Sequence, residues 1–170
     1  MPIHLHRHIR SNGFESKDKL RKYSWGSLET FNLEKEVQNV FRNRSDIVIG
    51  TNCVHATTSR VASSRRIWDT LVKNGVAILS EGTQPLDWFD ICFGLLDGWW
   101  LAEDGKEYPL QLAFKWMENF QAAGFLSSGY SRGPTQEAFT QQLLVGYKTK
   151  WPVPMNSVPT QPRAKASHIN

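Results

Sequence analysis

The sequence predicts an α/β fold in which a helix joins two buried parallel strands. The apolar run from Asp46 to Gly50 is short and rich in β-branched residues, which is typical of a strand buried on both faces. A similar run spans Val76–Ser80, and apolar residues at helical spacing lie between the two runs and end before Gly75. A crossover of this length joins parallel strands, so polar residues that follow the two runs should meet at one edge of the sheet.

The N-terminal segment, residues 1–23, is basic and irregular in pattern. Apolar residues alternate with His4, His6 and His8, which is compatible with a short strand that presents three imidazoles on one face. No Cys, Asp or Glu precedes Glu15, so we favour a solvated basic arm over a metal site. The alternative for residues 1–23 is a remnant of the N-terminal half of a larger domain.

The other elements follow from hydrophobic periodicity and turn residues. Aromatic residues cluster between Trp68 and Phe125, and the adjacent Trp99 and Trp100 cannot both face one side, so at least one should cover a cavity or lie exposed. The remaining predicted elements are a strand at 28–33, a polar connection or short helix at 34–44, a buried or lid-forming helix at 84–96, a helix at 109–124 that Gly124 ends, closing strands at 125–130 and 142–147, and a disordered tail at 149–170.

Charge distribution and cysteine usage exclude several classes of protein. The net charge of +4 comes from the two ends of the chain, since residues 24–147 carry ten Lys and Arg against fourteen acids. This argues against nucleic-acid binding. No apolar run has the length of a membrane span or a signal peptide, and Cys53 and Cys92 form no disulfide framework, so we expect a cytoplasmic protein without a membrane partner.

His55 and Glu81 form the most promising chemical pair, because each follows one of the two buried strands. A carboxylate that accepts a hydrogen bond from one imidazole nitrogen fixes the tautomer and raises the basicity of the other nitrogen. Such a pair can remove a proton from a carbon acid or a hydroxyl. The alternative is that His55 caps the following helix and Glu81 is an ordinary loop carboxylate.

Other chemistries have weaker support. The chain has no G-x-S-x-G, no phosphate-binding loop and no G-x-G-x-x-G. Cys53 is too close to His55 in sequence for an ordinary nucleophile–base pair, and nothing marks it as a thiolate. Asp87 and Asp90 open an apolar helix, where stabilisation of its positive end is the better account.

Four stretches in this order carry a resemblance to a known family, namely Ser45–Thr57, Leu79–Glu81, Phe93–Trp100 and Tyr108–Gln111. Together they resemble the C-methyltransferase domain of fungal iterative polyketide synthases of the non-reducing type, over about residues 14–148. The resemblance implies a class I, Rossmann-like methyltransferase sheet with a Trp-rich helical lid, of which residues 24–148 would be the C-terminal portion.

The resemblance also implies a function in secondary-metabolite biosynthesis. The methyl donor would be S-adenosylmethionine, and the acceptor a β-ketoacyl group on an acyl carrier protein of a polyketide synthase. His55 would act as the base and Glu81 as its orienting partner. The residues implied for donor binding are Asn32, Leu33, Thr51 and Asn52, and those implied for the acyl pocket are Trp88, Phe89, Trp99, Trp100 and Tyr108.

The sequence departs from the family on the donor side. The sequence lacks the family's Gly-rich E-x-G-x-G-x-G-like turn and the strand that precedes that turn. At the position where an acid normally holds the ribose of the donor, the sequence has Ile9 or Arg10. We therefore expect the strand at 46–50 to have an open edge and the segment around Phe31 to have no strand neighbour. Two functions remain. The first is that of a partial methyltransferase. The second is that of an inactive remnant, which docks either on a synthase or on a separate N-terminal half.

Overall fold

The computed structural model describes residues 3–6, 26–100 and 108–150, and of residues 3–6, 26–28 and 97–98 it describes the backbone only. The strands are β1 (Ile3–His6), β2 (Gly26–Glu29), β3 (Ser45–Thr51), β4 (Leu71–Gly82), β5 (Ser127–Tyr130) and β6 (Gln141–Tyr147). The helices are α1 (Arg60–Thr70), α2 (Asp87–Phe93) and α3 (Ala113–Ala122), with 3-10 turns at Asp97–Trp100 and Glu137–Phe139.

The main sheet has four strands in the order β3-β4-β6-β5. Strand β3 is parallel to β4, whereas β4 pairs with β6, and β6 with β5, in antiparallel fashion. The predicted α/β class, the parallel pair joined by a helix and the closing strand pair are therefore confirmed. Within the described ranges, no helix is long and apolar enough to cross a bilayer.

The N-terminal predictions are partly wrong. Ile3–His6 is a strand, as its alternating pattern allowed, and it pairs in parallel with Gly26–Glu29 to form a separate two-stranded sheet. The strand expected at 28–33 thus lies earlier and does have a neighbour, while Leu33 is buried in a turn. Two further predictions lie outside the described residues. They are the rest of the predicted arm, residues 7–23, and nearly all of the predicted tail, residues 151–170.

Helix α1 ends earlier than predicted. Ser59 Oγ accepts the Ala62 N–H at 3.2 Å and caps the start of the helix. At the other end, Lys148 Nζ donates to the carbonyl oxygens of Trp68 at 3.0 Å and Leu71 at 2.6 Å. The cation lies at the C-terminal end of the helix, where positive charge is favourable. The chain passes directly from the helix into β4, and Gly75 lies within the strand.

The core lies on one face of the four-stranded sheet. Helices α1 and α3 pack there, and the cluster includes Ile67, Ala77, Leu79, Trp116 and Phe120. On the opposite face, Ile49 of β3 is 73% exposed. The expectation that β3 is buried on both faces is therefore wrong for the described residues, because their helices cover a single face. The expected open edge of β3 is present, since β4 is its one strand neighbour in the described part of the chain.

Helix α2 is apolar and yet lies at the surface. None of its side chains is buried, and Leu95 just beyond it is 89% exposed. Of the two interpretations of the 84–96 segment, burial in the core is wrong, and a position over the polar end of the sheet agrees with the structure.

The predicted C-terminal stop of α3 is confirmed at Gly124, whose φ of +100° is unfavourable for other residues.

We expect Gly124→Ala to lower the free energy of unfolding by about 1–2 kcal/mol, because the methyl group is strained in this conformation. Its Cβ would also lie 2.9 Å from Arg65 Nη1. Urea unfolding followed by Trp fluorescence measures the change. Gln121→Ala on the exposed side of α3 is the control and should change stability by less than about 0.5 kcal/mol; equal losses for both variants would contradict the assignment.

Candidate active site

The polar edge of the sheet is shaped by a tight turn after β3. Asn52 has a φ of +46°, and its N–H donates to the Ser80 carbonyl oxygen at 2.8 Å. Asn and Asp tolerate this left-handed conformation better than most residues. Because Thr51 is the last residue of β3 and pairs with Ser80, the turn carries the following residues over Glu81, the next residue of β4.

His55 and Glu81 lie in direct contact. His55 Nδ1 is 2.6 Å from Glu81 Oε2. The other carboxylate oxygen, Oε1, accepts the backbone N–H groups of Val54 at 2.9 Å and Cys53 at 3.1 Å. The Glu81 side chain is fully buried, whereas the His55 side chain is 11% exposed. The structure thus brings the predicted pair together, and their catalytic role stays a prediction.

This geometry determines which imidazole nitrogen can react. A carboxylate only accepts hydrogen bonds, so Nδ1 of His55 carries the proton in the neutral ring and Nε2 has the free lone pair. When Nε2 takes up a proton, the adjacent carboxylate of Glu81 stabilises the resulting imidazolium charge. The pair is therefore a base with a built-in counter-ion.

The neighbouring thiol does not compete for this role. Burial, and then the nearby Glu81 carboxylate, raise the pKa of the Cys53 thiol to about 12. Cys53 is therefore neutral at physiological pH and lacks the thiolate that nucleophilic catalysis needs. This agrees with the sequence interpretation.

Aromatic side chains form a wall beside the imidazole. Trp99 meets His55 edge to face, with ring centroids 6.1 Å apart and an interplanar angle of 72°. Three other rings lie around Trp99. Measured between ring centroids, Phe93 is stacked on it at 5.4 Å, Phe89 lies at 6.2 Å and Tyr108 at 6.3 Å. Of the predicted acyl-pocket residues, the structure therefore places Phe89, Trp99 and Tyr108 together.

The other two predicted pocket residues form an outer layer. The ring centroids of Trp88 and Phe89 lie 4.1 Å apart, and those of Trp100 and Tyr108 lie 6.3 Å apart. Both tryptophans are more than half exposed. The expectation that at least one of the two adjacent tryptophans covers a cavity or lies exposed is confirmed, since Trp100 is exposed.

The residues predicted for donor binding divide into two groups. Leu33, Thr51 and Asn52 line one groove of about 400 Å³ that runs along the open edge of β3 and reaches Cys53. Asn32 is not among the residues that line it, and its side-chain oxygen accepts the Glu34 N–H at 2.8 Å. No charged side chain lines this groove among the described residues.

Two residues near the site were missed. Arg60 is 1% exposed and donates to the Gln111 side chain at 2.8 Å and to the carbonyl oxygens of Tyr108 and Pro109. An Arg at the start of a polar helix gives no sequence signal of burial. Asp90, interpreted as a helix-end charge, in fact accepts hydrogen bonds from Trp99 and Tyr108, a pairing that spacing alone does not reveal.

Comparison with known proteins finds polyketide synthases among the relatives of this chain. The chain is 46% identical over 132 residues to the non-reducing polyketide synthase atr1 of Stereocaulon alpinum, covering 78% of this chain and 5% of that protein. It is 33% identical over 130 residues to the citrinin polyketide synthase of Monascus ruber, covering 76% of this chain and 5% of that protein. No protein-family model matches the chain. The chain thus spans a small part of these relatives.

Solved structures agree with these sequence matches. The citrinin polyketide synthase CMeT domain superposes with a TM-score of 0.78 at 32% identity, over 80% of this chain and 36% of that one. The trans-methyltransferase CalH, solved in complex with SAH, has the same fold, with a TM-score of 0.66 at 24% identity over 78% of this chain and 38% of that one.

The fold and the matched structures define part of a class I methyltransferase with a mixed α/β sheet. More narrowly, the chain is a homologue of the C-methyltransferase domain of fungal non-reducing polyketide synthases, as its motifs predicted.

The buried carboxylate should be essential to local stability. We expect Glu81→Ala to lower the free energy of unfolding by at least about 2 kcal/mol, because it leaves the N–H groups of Cys53 and Val54 buried without an acceptor. Chemical unfolding measures the loss. Glu118→Ala, in an exposed pair with Lys115, is the control and should change stability by less than about 1 kcal/mol. A Glu81→Ala protein as stable as this control would show that the three hydrogen bonds do not hold the loop.

Proposed function

We propose that this chain is part of an S-adenosylmethionine-dependent C-methyltransferase that methylates the α-carbon of a β-ketoacyl polyketide intermediate on an acyl carrier protein. The observation that carries this proposal is the His55–Glu81 pair at 2.6 Å, with Nε2 left free beside an aromatic wall. The relation to C-methyltransferase domains of polyketide synthases supports it. Residues 24–148 would be the C-terminal portion of the methyltransferase domain.

The proposed chemistry begins with proton removal. Nε2 of His55 takes a proton from the carbon between the two carbonyls of the acceptor, so the C–H bond breaks and its electron pair forms the enolate. Glu81 keeps the Nδ1 proton in place and stabilises the imidazolium without being protonated itself. When bound, the donor would supply the electrophilic methyl group. The enolate carbon would form the new C–C bond as the sulfur–methyl bond breaks, and the electron pair of that bond would stay on the sulfur of the leaving thioether.

The aromatic wall gives the acceptor its environment. Trp99 contacts the His55 ring, and Phe89 and Tyr108 pack against Trp99. This apolar surface beside the base suits an acyl chain and limits water near the enolate. A shielded enolate is less readily reprotonated by solvent than an exposed one, so it survives until it is methylated.

The groove along β3 fits only one portion of the donor. Its apolar walls, with Leu33, Thr51 and Asn52, suit an adenosine group, and a volume of about 400 Å³ lies in the usual range of small-molecule sites. The carboxylate and ammonium of the methionyl portion find no charged partner among the described residues that line the groove. We infer that further residues complete the donor site.

The second candidate function is an inactive interaction fragment of a polyketide synthase. The observation that favours it is the open edge of β3 with exposed Ile47 and Ile49, since unpaired strand edges with apolar side chains bind other chains. In this case the chain would dock on a synthase or on a separately supplied N-terminal half.

Donor binding distinguishes the two candidates. Isothermal titration of S-adenosylmethionine into the purified chain should give saturable heat if the chain is a methyltransferase that holds its donor. Thr51→Trp, which fills the groove, should abolish that heat and so assigns it to this site. Absence of binding by the wild-type chain would contradict stand-alone methyl transfer and leave the interaction fragment.

The base assignment is tested in a complete homologous domain. Replacing the residue aligned with His55 by Ala should lower α-methylation of a β-ketothioester by at least about 100-fold, the usual contribution of a general base. The change aligned with Glu81→Gln should also lower it, because an amide N–H facing Nδ1 favours the wrong tautomer. The change aligned with Glu118→Ala, at an exposed position on α3, is the control and should keep most activity. Undiminished methylation in the first two variants would overturn the assignment.

A further inference from the structure

We infer that Asp90 is a positioning residue that holds the Trp99 indole against the imidazole of His55. This inference rests on the proposed function for its purpose, because it assigns Asp90 a role in shielding the base. The contacts themselves, and their test, do not involve methyl transfer.

The carboxylate of Asp90 joins two separate parts of the chain. Its Oδ1 accepts the Tyr108 hydroxyl at 2.8 Å and the Trp99 indole N–H at 3.3 Å. The two donors lie 9 and 18 positions further along the sequence, so both bonds depend on the fold and not on local turn geometry. Hydrogen bonds to an ionised group are stronger than those between neutral groups.

Tyr108 connects this carboxylate to the core. Its carbonyl oxygen accepts a hydrogen bond from Arg60 at 3.1 Å. Arg60 is itself fully buried, with its guanidinium 5.9 Å from the centroid of the Trp116 ring. A continuous series of contacts therefore runs from the core through Arg60 and Tyr108 to Asp90, and from Asp90 to Trp99.

The Tyr108 hydroxyl remains a donor over the physiological pH range. Burial, and then the hydrogen bond to Asp90, raise the pKa of Tyr108 to about 12. The phenol is therefore protonated well above neutral pH, and the Tyr108–Asp90 bond does not depend on pH near 7.

Helix α2 is fixed on the protein by little apolar burial, since none of its seven residues is buried. Phe89 and Phe93 of this helix contact the Trp99 ring, and the Asp90 carboxylate adds hydrogen bonds to Trp99 and Tyr108. Because hydrogen bonds are directional, the Asp90 bonds restrict where the indole lies relative to His55. When they are lost, Trp99 should move away from the imidazole for part of the time, and Nε2 should be exposed to solvent.

Carbethoxylation of His55 measures this exposure directly. The purified 170-residue chain is treated with diethylpyrocarbonate, and the modification rate of each histidine is followed by peptide mass spectrometry. We expect Asp90→Ala to raise the rate at His55 about fivefold, which corresponds to a lost hydrogen bond of about 1 kcal/mol. The rate at His168 in the same sample is the internal reference.

Two matched variants make the test specific. Asp90→Asn retains a carbonyl oxygen that can accept the Trp99 N–H, so its His55 rate should stay near that of the wild type. Asp87→Ala removes a carboxylate from the same helix and should also leave the rate unchanged. Circular dichroism checks folding, and if Asp90→Ala is unfolded, Tyr108→Phe replaces it, because it removes the hydroxyl that fixes Asp90 and keeps the ring.

A wild-type rate at His55 in folded Asp90→Ala, or an equal rise in Asp87→Ala, would overturn the inference. The outcome is independent of the proposed function. A chain that binds no donor still reports the His55 rate, and loss of methylation without a change in that rate would refute the positioning role while leaving the His55–Glu81 base intact.

Discussion

The buried carboxylate of Glu81 is the interaction on which the rest of the site depends. It lies near the end of β4 without solvent contact, and three hydrogen-bond donors converge on its two oxygens. Burial of a carboxylate is unfavourable unless such donors compensate for the lost hydration. The loop that supplies them is thereby fixed over the sheet, and the imidazole of His55 is fixed with it. One requirement, satisfying this carboxylate, thus determines both the local backbone and the orientation of the base.

The features that could be predicted from the sequence are those that depend on short-range patterns. The apolar runs of β3 and β4 and the helix between them place His55 and Glu81 at one edge because parallel strands end together. The positive φ at Gly124 follows from a glycine at the end of a periodic helix. Features that depend on contacts between residues far apart in the sequence could not be predicted. Lys148 ends α1 from beyond β6, and Ile49 is exposed because no described helix covers its face. Asp90 acquires its partners through chain folding alone.

The two sides of the site differ in completeness. On the proposed acceptor side, His55, the carboxylate of Glu81 and a wall of aromatic rings lie within contact distance of one another. The donor side offers a groove along an open strand edge, with no charged lining residue in the described part of the chain. The chain covers 36% of the citrinin CMeT domain structure that it matches. Proton abstraction is thus the part of the proposed reaction for which these residues are best equipped.

The tautomer of His55 is the most direct test of this account. Nitrogen-15 NMR of the chain labelled at histidine distinguishes a protonated ring nitrogen from one with a free lone pair. In the neutral imidazole of His55, the account predicts a protonated Nδ1 directed at Glu81 and an unprotonated Nε2. A proton on Nε2 with Nδ1 unprotonated would contradict it, because the nitrogen that does not face Glu81 could then not act as the base.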